Sequence, residues 1–443
     1  MIPLNETYEG ELRKAAKIIR EESFFRVFSH YDADGVASAV VISEMLRRQD
    51  KDFHLSFLRA MDNEIIKESS GYPIIISDLG SDVPELSGGK GIIVDHHIFS
   101  GQGNSSLVNL NPRKFGYDGT KEACSSTIAF LLSLEVDQSN EDLFPAFIGG
   151  VIGDKQNVGG FHGINSGIVS ALKQKYPATK DISLVGRSIS EAIYLSIDPY
   201  FIGLSGDEEA ARFFVESLGI NPDVSPLNLR TDEKEKIVEN LTIRLISQGV
   251  SREGYETLVT DIFNFPAMGT SSNLIYEYMD ASGRNGRMGL PVSWFLGNDE
   301  AVDDMHSIFI KFRGDALAQV KRSSGMIKDL GNVIVTHVDN PFLAGITAST
   351  LAIYVNEVKK PVVAIYNNKE CKISGRATRD QIASGVDLSL AIGQAAQEVG
   401  GHGGGHDIAA GAEIPFGKEE EFILKVNGMI GEQIANSKGS SKI

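Results

Sequence analysis

The chain reads as an α/β protein: a parallel sheet covered by helices in its N-terminal part, and a second α/β block toward the C-terminus. Three observations lead there. From Phe24 onward short β-rich runs alternate with helical ones, the order that builds parallel sheets with helical crossovers. Two of those runs, PIIIS (Pro73 to Ser77) and GIIVD (Gly91 to Asp95), are rich in β-branched residues and do not alternate, as expected of strands buried on both faces. Each strand candidate also runs into Asp or His, and ligands of open α/β sheets bind beyond the carboxyl ends of the strands.

Taken in order, FFRVFS is a strand, HYDADG the loop after it, and GVASAVVISEMLRRQ a helix with apolar residues at helical spacing. PIIIS and GIIVD follow as strands. ACSSTIAFLLSL is a long helical run, and FPAFIGGVIGD closes the first unit. From about Tyr200 to Arg230 the text turns polar and turn-rich, which suits a connection. TDEKEKIVENLTIRLISQG reads as a helix with Thr231 as N-cap and Gly249 past its end. The last block holds strand VIVTHV, helix LAGITASTLAIYVNEV, strands PVVAIYN and CKISGRA, helix VDLSLAIGQAAQEV and a glycine-rich turn. The expected division is 1–195, 196–250 as linker and connecting helix, 251–325 as a middle α/β insertion, and 326–443.

A length of 443 residues exceeds what one core organises. Lys+Arg 42 against Asp+Glu 59 gives a formal charge of -17, which excludes a protein that coats duplex by overall basicity but leaves room for a local positive groove. Cys124 and Cys371 are too few for a disulfide framework or a zinc cluster and read as buried free thiols. No signal-type segment or run of roughly 18 apolar residues occurs, so no membrane partner is expected and the chain reads as cytoplasmic.

Four clusters carry chemistry. His30, Asp32 and Asp34 crowd an imidazole and two carboxylates into one short segment, which a divalent cation relieves; the alternative is an acidic turn. Asp78 ends the second buried strand, where a lone Asp also serves as a cap or turn former, the role left to Asp82. Asp95, His96 and His97 follow the next strand; one ring can bind a metal while the other faces substrate, with Asp95 orienting a ring, or both rings are simply exposed. Asp154 stands beside glycines that permit close approach. Placed at four ends of one sheet, these clusters converge. His30, Asp32, Asp34, Asp78, His96 and Asp154 are too many donors for one open catalytic ion. They suit two ions about 3.5 to 4 Å apart, the spacing used on phosphorus esters. Ligation without thiolate favours Mn²⁺, with Mg²⁺ or Co²⁺ as substitutes and zinc as a further option.

HYDADG, ISDLGS, DHH and GGVIGD, in this order, resemble the motifs of the DHH phosphoesterase superfamily. Within it the chain is similar to RecJ-like exonucleases, especially the archaeal group that includes the GINS-associated nuclease. ISGRAT (Ile373 to Thr378) and GGHGGGHDIAAG (Gly400 to Gly411) resemble the substrate-binding motifs of the DHH-associated C-terminal domain. YMDASGRNGRMG (Tyr278 to Gly289) resembles the middle segment of archaeal RecJ-like chains, with Asp280 and Ser282 where Asn and Cys are expected. The resemblance implies one ion on His30, Asp32 and Asp78 and another on Asp34, Asp78, His96 and Asp154. Asp78 would be the bridge, and His97, Asp34 and Asp95 would serve catalysis by a water activated between the two metals. It also implies substrate binding by Ser374, Arg376, Gly404, Gly405 and His406, with Arg284 and Arg287 in a lesser part.

From the residues alone, the glycines of GGHGGGHDIAAG expose backbone N–H groups as an anion nest, extended by a helix-like AAG. A flexible turn, or a metal held by His402 and His406, are the other readings. Arg376 offers a bidentate phosphate contact. The expected function is thus a metal-dependent exonuclease on single-stranded DNA, RNA or both, in replication or repair. A phosphodiesterase of short oligonucleotides or cyclic dinucleotides, a replisome scaffold binding GINS and helicase, and more distantly a family II pyrophosphatase are the alternatives. Two divalent cations would move the formal total from -17 to about -13 and reverse its sign at the cleft.

Overall fold

The computed structural model describes residues 4–60, 64, 71–81, 90–98, 107–355, 359–368 and 371–440; Asp82 lies outside them. Two compact units make up the chain, Met1–Lys180 with Asp261–Ile310, and Asp181–Thr260 with Lys311–Ile443. No helix among the described residues is long and apolar enough to cross a membrane.

The first unit is built on β1 (Phe24–His30), β2 (Asp52–Leu58), β3 (Ile74–Ser77), β4 (Gly91–Val94) and β5 (Val108–Asn109), a parallel sheet in the order β2-β1-β3-β4-β5. Burial follows from the residue pattern. IIIS and GIIV are buried at every position, whereas edge strand β2 is half exposed. Each isoleucine of β3 contributes about 1.5–3 kcal/mol by leaving water. Register places Ser29 beside Ser77 and Ser77 beside Val94. The next residues of the three strands, His30, Asp78 and Asp95, therefore leave the sheet at one level. Because β2 and β3 flank β1 on opposite sides, the sheet reverses direction between β1 and β3, the place where such folds bind ligands.

Helices α1 (Glu6–Glu21), α2 (Ala33–Arg48), α3 (Ser125–Val136), α4 (Phe144–Gly153) and α5 (Gly163–Leu172) accompany this sheet. Two expectations change here. HYDADG is not one loop, because Asp32 is the N-cap of α2, accepting from the Gly35 N–H, and Asp34 sits in the first helical turn. GGVIGD is not a strand end either: Asp154 is the C-cap of α4. Gly, Val and Ile fit both conformations, and packing of α4 against α2 and α3 decides. Residues 261–310 add α6 (Ser272–Arg284) to this unit. A three-stranded sheet joins β6 (Ala178–Ile182), β7 (Val259–Phe265) and β8 (Thr270–Ser271).

The second unit carries β9 (Lys328–Asp329), β10 (Ile334–Val338), β11 (Val362–Asn367), β12 (Cys371–Arg376), β13 (His402–Gly405) and β14 (Ala409–Ile414), in the order β13-β14-β12-β11-β10-β9. Its core includes Val335, Val363, Ile373, Ile392 and Phe422. The helix-like AAG is instead strand β14, paired with β12 and β13, because ladder partners override the weak preference of Ala and Gly. Within the turn-rich stretch lies a helix, Glu208–Ser217, capped by Asp207, with Ala211 and Val215 on its buried stripe. Thr231 is the first helical residue of Thr231–Ser247, and Arg230 takes the N-cap position.

Candidate metal centre

At the carboxyl edge of β1, β3 and β4 the acidic and imidazole side chains converge. His30 Nδ1 lies 3.0 Å from Asp32 Oδ2 and 3.3 Å from Asp78 Oδ2. On the other side His96 Nε2 lies 3.4 Å from Asp78 Oδ1 and 3.8 Å from Asp34 Oδ2, and His96 Nδ1 is 3.6 Å from Asp154 Oδ2. The potential ligand atoms thus fall into groups: His30, Asp32 and Asp78; Asp34, His96 and Asp154; and Asp78 with Asp95, His96 and His97. Asp78 turns one oxygen to each side. Its φ of +60° is a left-handed backbone at a buried non-glycine residue, and Lys155, next to Asp154, has φ +59°. Such strain persists where the surroundings fix a functional geometry.

Asp34 is clamped by the N-terminus of α3: Ser125 N–H donates to Oδ2 at 2.7 Å and Ser126 N–H to Oδ1 at 2.9 Å, where the helix dipole favours a negative charge. Ser125 Oγ donates to Asp78 Oδ1 at 3.0 Å. The two adjacent histidines diverge. His96 is buried, its Nδ1 2.6 Å from the Gly119 carbonyl, while the His97 side chain is 56% exposed. A carbonyl only accepts, so His96 Nδ1 carries a proton, and Nε2 is the nitrogen a metal would take once it sheds its own. His97 Nδ1 sits 2.8 Å from Asp95 Oδ1, and Asp95 also accepts the N–H groups of Ser81 and His96.

The charges demand a counter-ion. Burial alone would lower the His30 imidazole, but the carboxylates of Asp32 and Asp78 raise it to about 10. His96 is raised well above its ordinary value against its burial by Asp78, Asp154 and Asp34. Burial raises Asp78 to about 6, helped by the charge of Asp32, and Asp154 to about 7, helped by Asp34 and Asp78. His30 Nδ1 and Asp78 Oδ2 are buried without a well-formed hydrogen bond. Protons are therefore holding together a cluster whose donors, imidazole nitrogen and carboxylate oxygen, suit divalent cations, and the residues fit such ions. A ligand must shed its proton to bind. Since His30 and His96 hold theirs at neutral pH and Asp154 is about half protonated there, Mn²⁺ affinity should climb from pH 6 to pH 8, with roughly two to three protons released per chain at pH 7. Calorimetry in buffers of different ionisation heat measures this; an affinity independent of pH would overturn the charge assignment.

Sequence reading missed Ser125, Ser126, Gly119 and Arg113. Arg113 Nε donates to the His96 carbonyl at 2.8 Å. The paired serines opening ACSSTIAFLL are the one available signal, since serines before a helical run suggest exposed helix N–H groups.

Arg284 ends α6 and pairs with Asp280 at 2.7 Å. The unexpected Asp280 thus gives it an intramolecular partner. A Cβ at Gly283 would lie 1.9 Å from the Tyr31 carbonyl oxygen, so α6 rests directly on the residue after His30. Arg287 is 3.9 Å from Asp304. Ser374, Arg376, Gly404, Gly405 and His406 belong to the second unit. Ser374 stands opposite Gly411, which faces Gly404 across the next strand, and Arg376 stands opposite Ala409. His402 and His406 are exposed and belong to no metal-binding group among the described residues.

Residues 331–432 match the DHHA1 domain. Over 447 aligned residues the chain is 30% identical to the uncharacterized protein MJ0831 of Methanocaldococcus jannaschii, covering 96% of this chain and 98% of that one. RecJ of Thermus thermophilus, solved in complex with Mn²⁺, superposes with a TM-score of 0.59 at 16% identity, over 95% of this chain. The chain belongs to one family with that Methanocaldococcus protein, carries a DHHA1 domain and has the fold of RecJ. The chain spans about half of the Thermus protein, 55% of its length. CDC45 of Entamoeba histolytica has the same fold at a TM-score of 0.63 and 11% identity, covering 97% of this chain and all of that one.

Proposed function

We propose that this chain is a divalent-metal-dependent phosphodiesterase of RecJ type, an exonuclease acting on single-stranded DNA, RNA or both. The observation that supports it most is the division of the Asp78 carboxylate between two ligand groups at the point where the sheet reverses. His30, Asp32 and Asp78 would hold one ion, and Asp34, Asp78, His96 and Asp154 the other, with Mn²⁺ as the preferred metal. Bound there, two cations supply Lewis acidity toward a phosphate and an acidified water as nucleophile.

The protein's own groups do the rest. Asp34 is held in place by two helix N–H groups. Asp95 fixes the His97 ring, whose exposed face meets a phosphate oxygen. Burial opposes ionisation of Asp95, but the hydrogen bond to His97 holds it down to about 2, so it remains an anion that favours the imidazolium. Residues 326–443 form the substrate-binding part, with Ser374, Arg376, Gly404, Gly405 and His406 contacting the strand and Arg284 assisting from residues 251–325. Residues 1–195 are the catalytic part. A place in replication or repair, with GINS as a partner, completes the proposal.

The test uses full-length protein with Mn²⁺ and single strands of DNA and RNA labelled at the 5′ or 3′ end. Stepwise release of mononucleotides is expected, abolished in the Asp34→Ala/His96→Ala double variant. Hydrolysis confined to strands of a few nucleotides would move the protein to the oligonucleotide phosphodiesterases. Hydrolysis surviving the double variant would remove this site from the mechanism.

A further inference from the structure

Beneath the centre runs a chain of buried neutral side chains that the proposed chemistry does not use. Gln156 lies two residues past Asp154, folded inward and 3% exposed. Its Nε2 donates to Asp154 Oδ2 at 2.9 Å and to the Gly119 carbonyl at 3.0 Å. That carbonyl is also the one that meets His96 Nδ1. One amide group therefore touches Asp154 directly and His96 through a shared acceptor.

The direction of the amide is forced from both ends. Gly119 offers only a carbonyl, so the nitrogen of Gln156 must face it. Behind it, Asn165 Nδ2 donates to Gln156 Oε1 at 2.8 Å, Thr127 Oγ1 donates to Asn165 Oδ1 at 2.7 Å, and the Cys124 N–H donates to Thr127 Oγ1 at 3.1 Å. Asn165 and Thr127 are fully buried. Every bond in the series points the same way, from the start of α3 to the Asp154 carboxylate, and flipping either amide would set acceptor against acceptor.

We propose that Gln156, oriented by Asn165, is a positioning residue for one ion only, the one assigned to Asp34, Asp78, His96 and Asp154. It pins Asp154 Oδ2, leaving Oδ1 for the ion, and helps fix the Gly119 carbonyl that holds the proton on His96 Nδ1. Neutrality matters: a glutamate at 156 would put an anion against Asp154 and could not donate to Gly119. The group His30, Asp32 and Asp78 has no bond to this series. The inference rests on the two-ion reading of the centre.

The experiment is a Mn²⁺ titration of the full chain, read by electron paramagnetic resonance of free and bound ion, for the unaltered protein, Gln156→Met and Gln156→Glu. Methionine keeps the volume without a donor; glutamate keeps the shape and inverts the polarity, and it carries the reading if the first variant does not fold. Removing such an outer partner weakens metal binding by roughly 10–100-fold. The expected result is that loss at one of two sites, with the other unchanged and serving as an internal measure of folding. Two sites of unaltered affinity in the variants, or equal weakening of both, overturn the inference alone. Fewer than two sites in the unaltered chain would overturn the two-ion reading and this inference with it.

Discussion

On the proposed function, Asp78→Asn is expected to leave a folded chain that has lost both proposed ions and, with them, about 10³-fold or more of the expected Mn²⁺-dependent hydrolysis, equivalent to some 4 kcal/mol of barrier. Asparagine is the informative replacement. It tolerates the left-handed backbone that Asp78 adopts at φ +60°, it matches the shape, and it removes the charge that Asp78 turns toward both His30 and His96. Alanine there would add backbone strain to the chemical loss. The same substitution should stabilise the metal-free chain. Burial, then the Asp32 charge, raise Asp78 to about 6. A carboxylate raised above its unfolded value costs stability at pH 7, and a neutral amide removes that cost, about 3 kcal/mol. Thermal melts in chelator and Mn²⁺ titrations check the two halves. A variant that still binds one ion tightly would show that Asp78 is no bridge.

Gly150→Ala is the second large effect, and its sign opposes helix propensity. In an exposed helix interior, glycine to alanine gains roughly 1 kcal/mol. In α4 a Cβ at 150 would stand 2.3 Å from Ser126 Oγ and 2.8 Å from Asp34 Oδ1. Neither atom can withdraw easily: Ser126 opens the buried helix α3, and its own N–H is bonded to that Asp34 oxygen. The overlap should cost about 1–3 kcal/mol, and a displaced Asp34 should lower turnover about 10²-fold. Gly149→Ala is the control, since its Cβ meets the Ile275 side chain, 2.9 Å from Cγ2, rather than the site. It should lower the melting temperature while leaving Mn²⁺ affinity in place. Equal effects of the two on metal affinity would refute the steric account.

The sheet and most of the side chains gathered at its edge were legible because their signals are local. Unalternating isoleucines mark β3 and β4, and the residue after each buried strand is set by the pleat, so His30, Asp78 and Asp95 followed from strand ends. Asp154 was found through its neighbours but assigned to the wrong element. The run GGVIG carries no period that separates helix from strand, and only packing on α2 and α3 settles it. The hairpin around His406 was misread for the related reason that Ala and Gly hold weak preferences, which pairing with β12 overrides. Gln156 and Asn165 gave no signal at all. A neutral amide has no charge pattern, and its importance lies wholly in what the fold sets beside it.

The interleaving of the two units has a consequence for synthesis. Met1–Lys180, Asp181–Thr260, Asp261–Ile310 and Lys311–Ile443 alternate between them, so the backbone crosses from one to the other three times. On the ribosome, where chains emerge N-terminus first, the unit bearing the candidate metal centre has all its segments once Ile310 is out. The other must hold residues 181–260 in waiting until the stretch from Lys311 onward arrives. Meanwhile the apolar faces around Ile237, Leu241 and Leu245 can close on Ile193, Phe201 and Val215, all from the same early segment. The early half of the second unit thus carries enough apolar surface to shelter itself before its sheet exists.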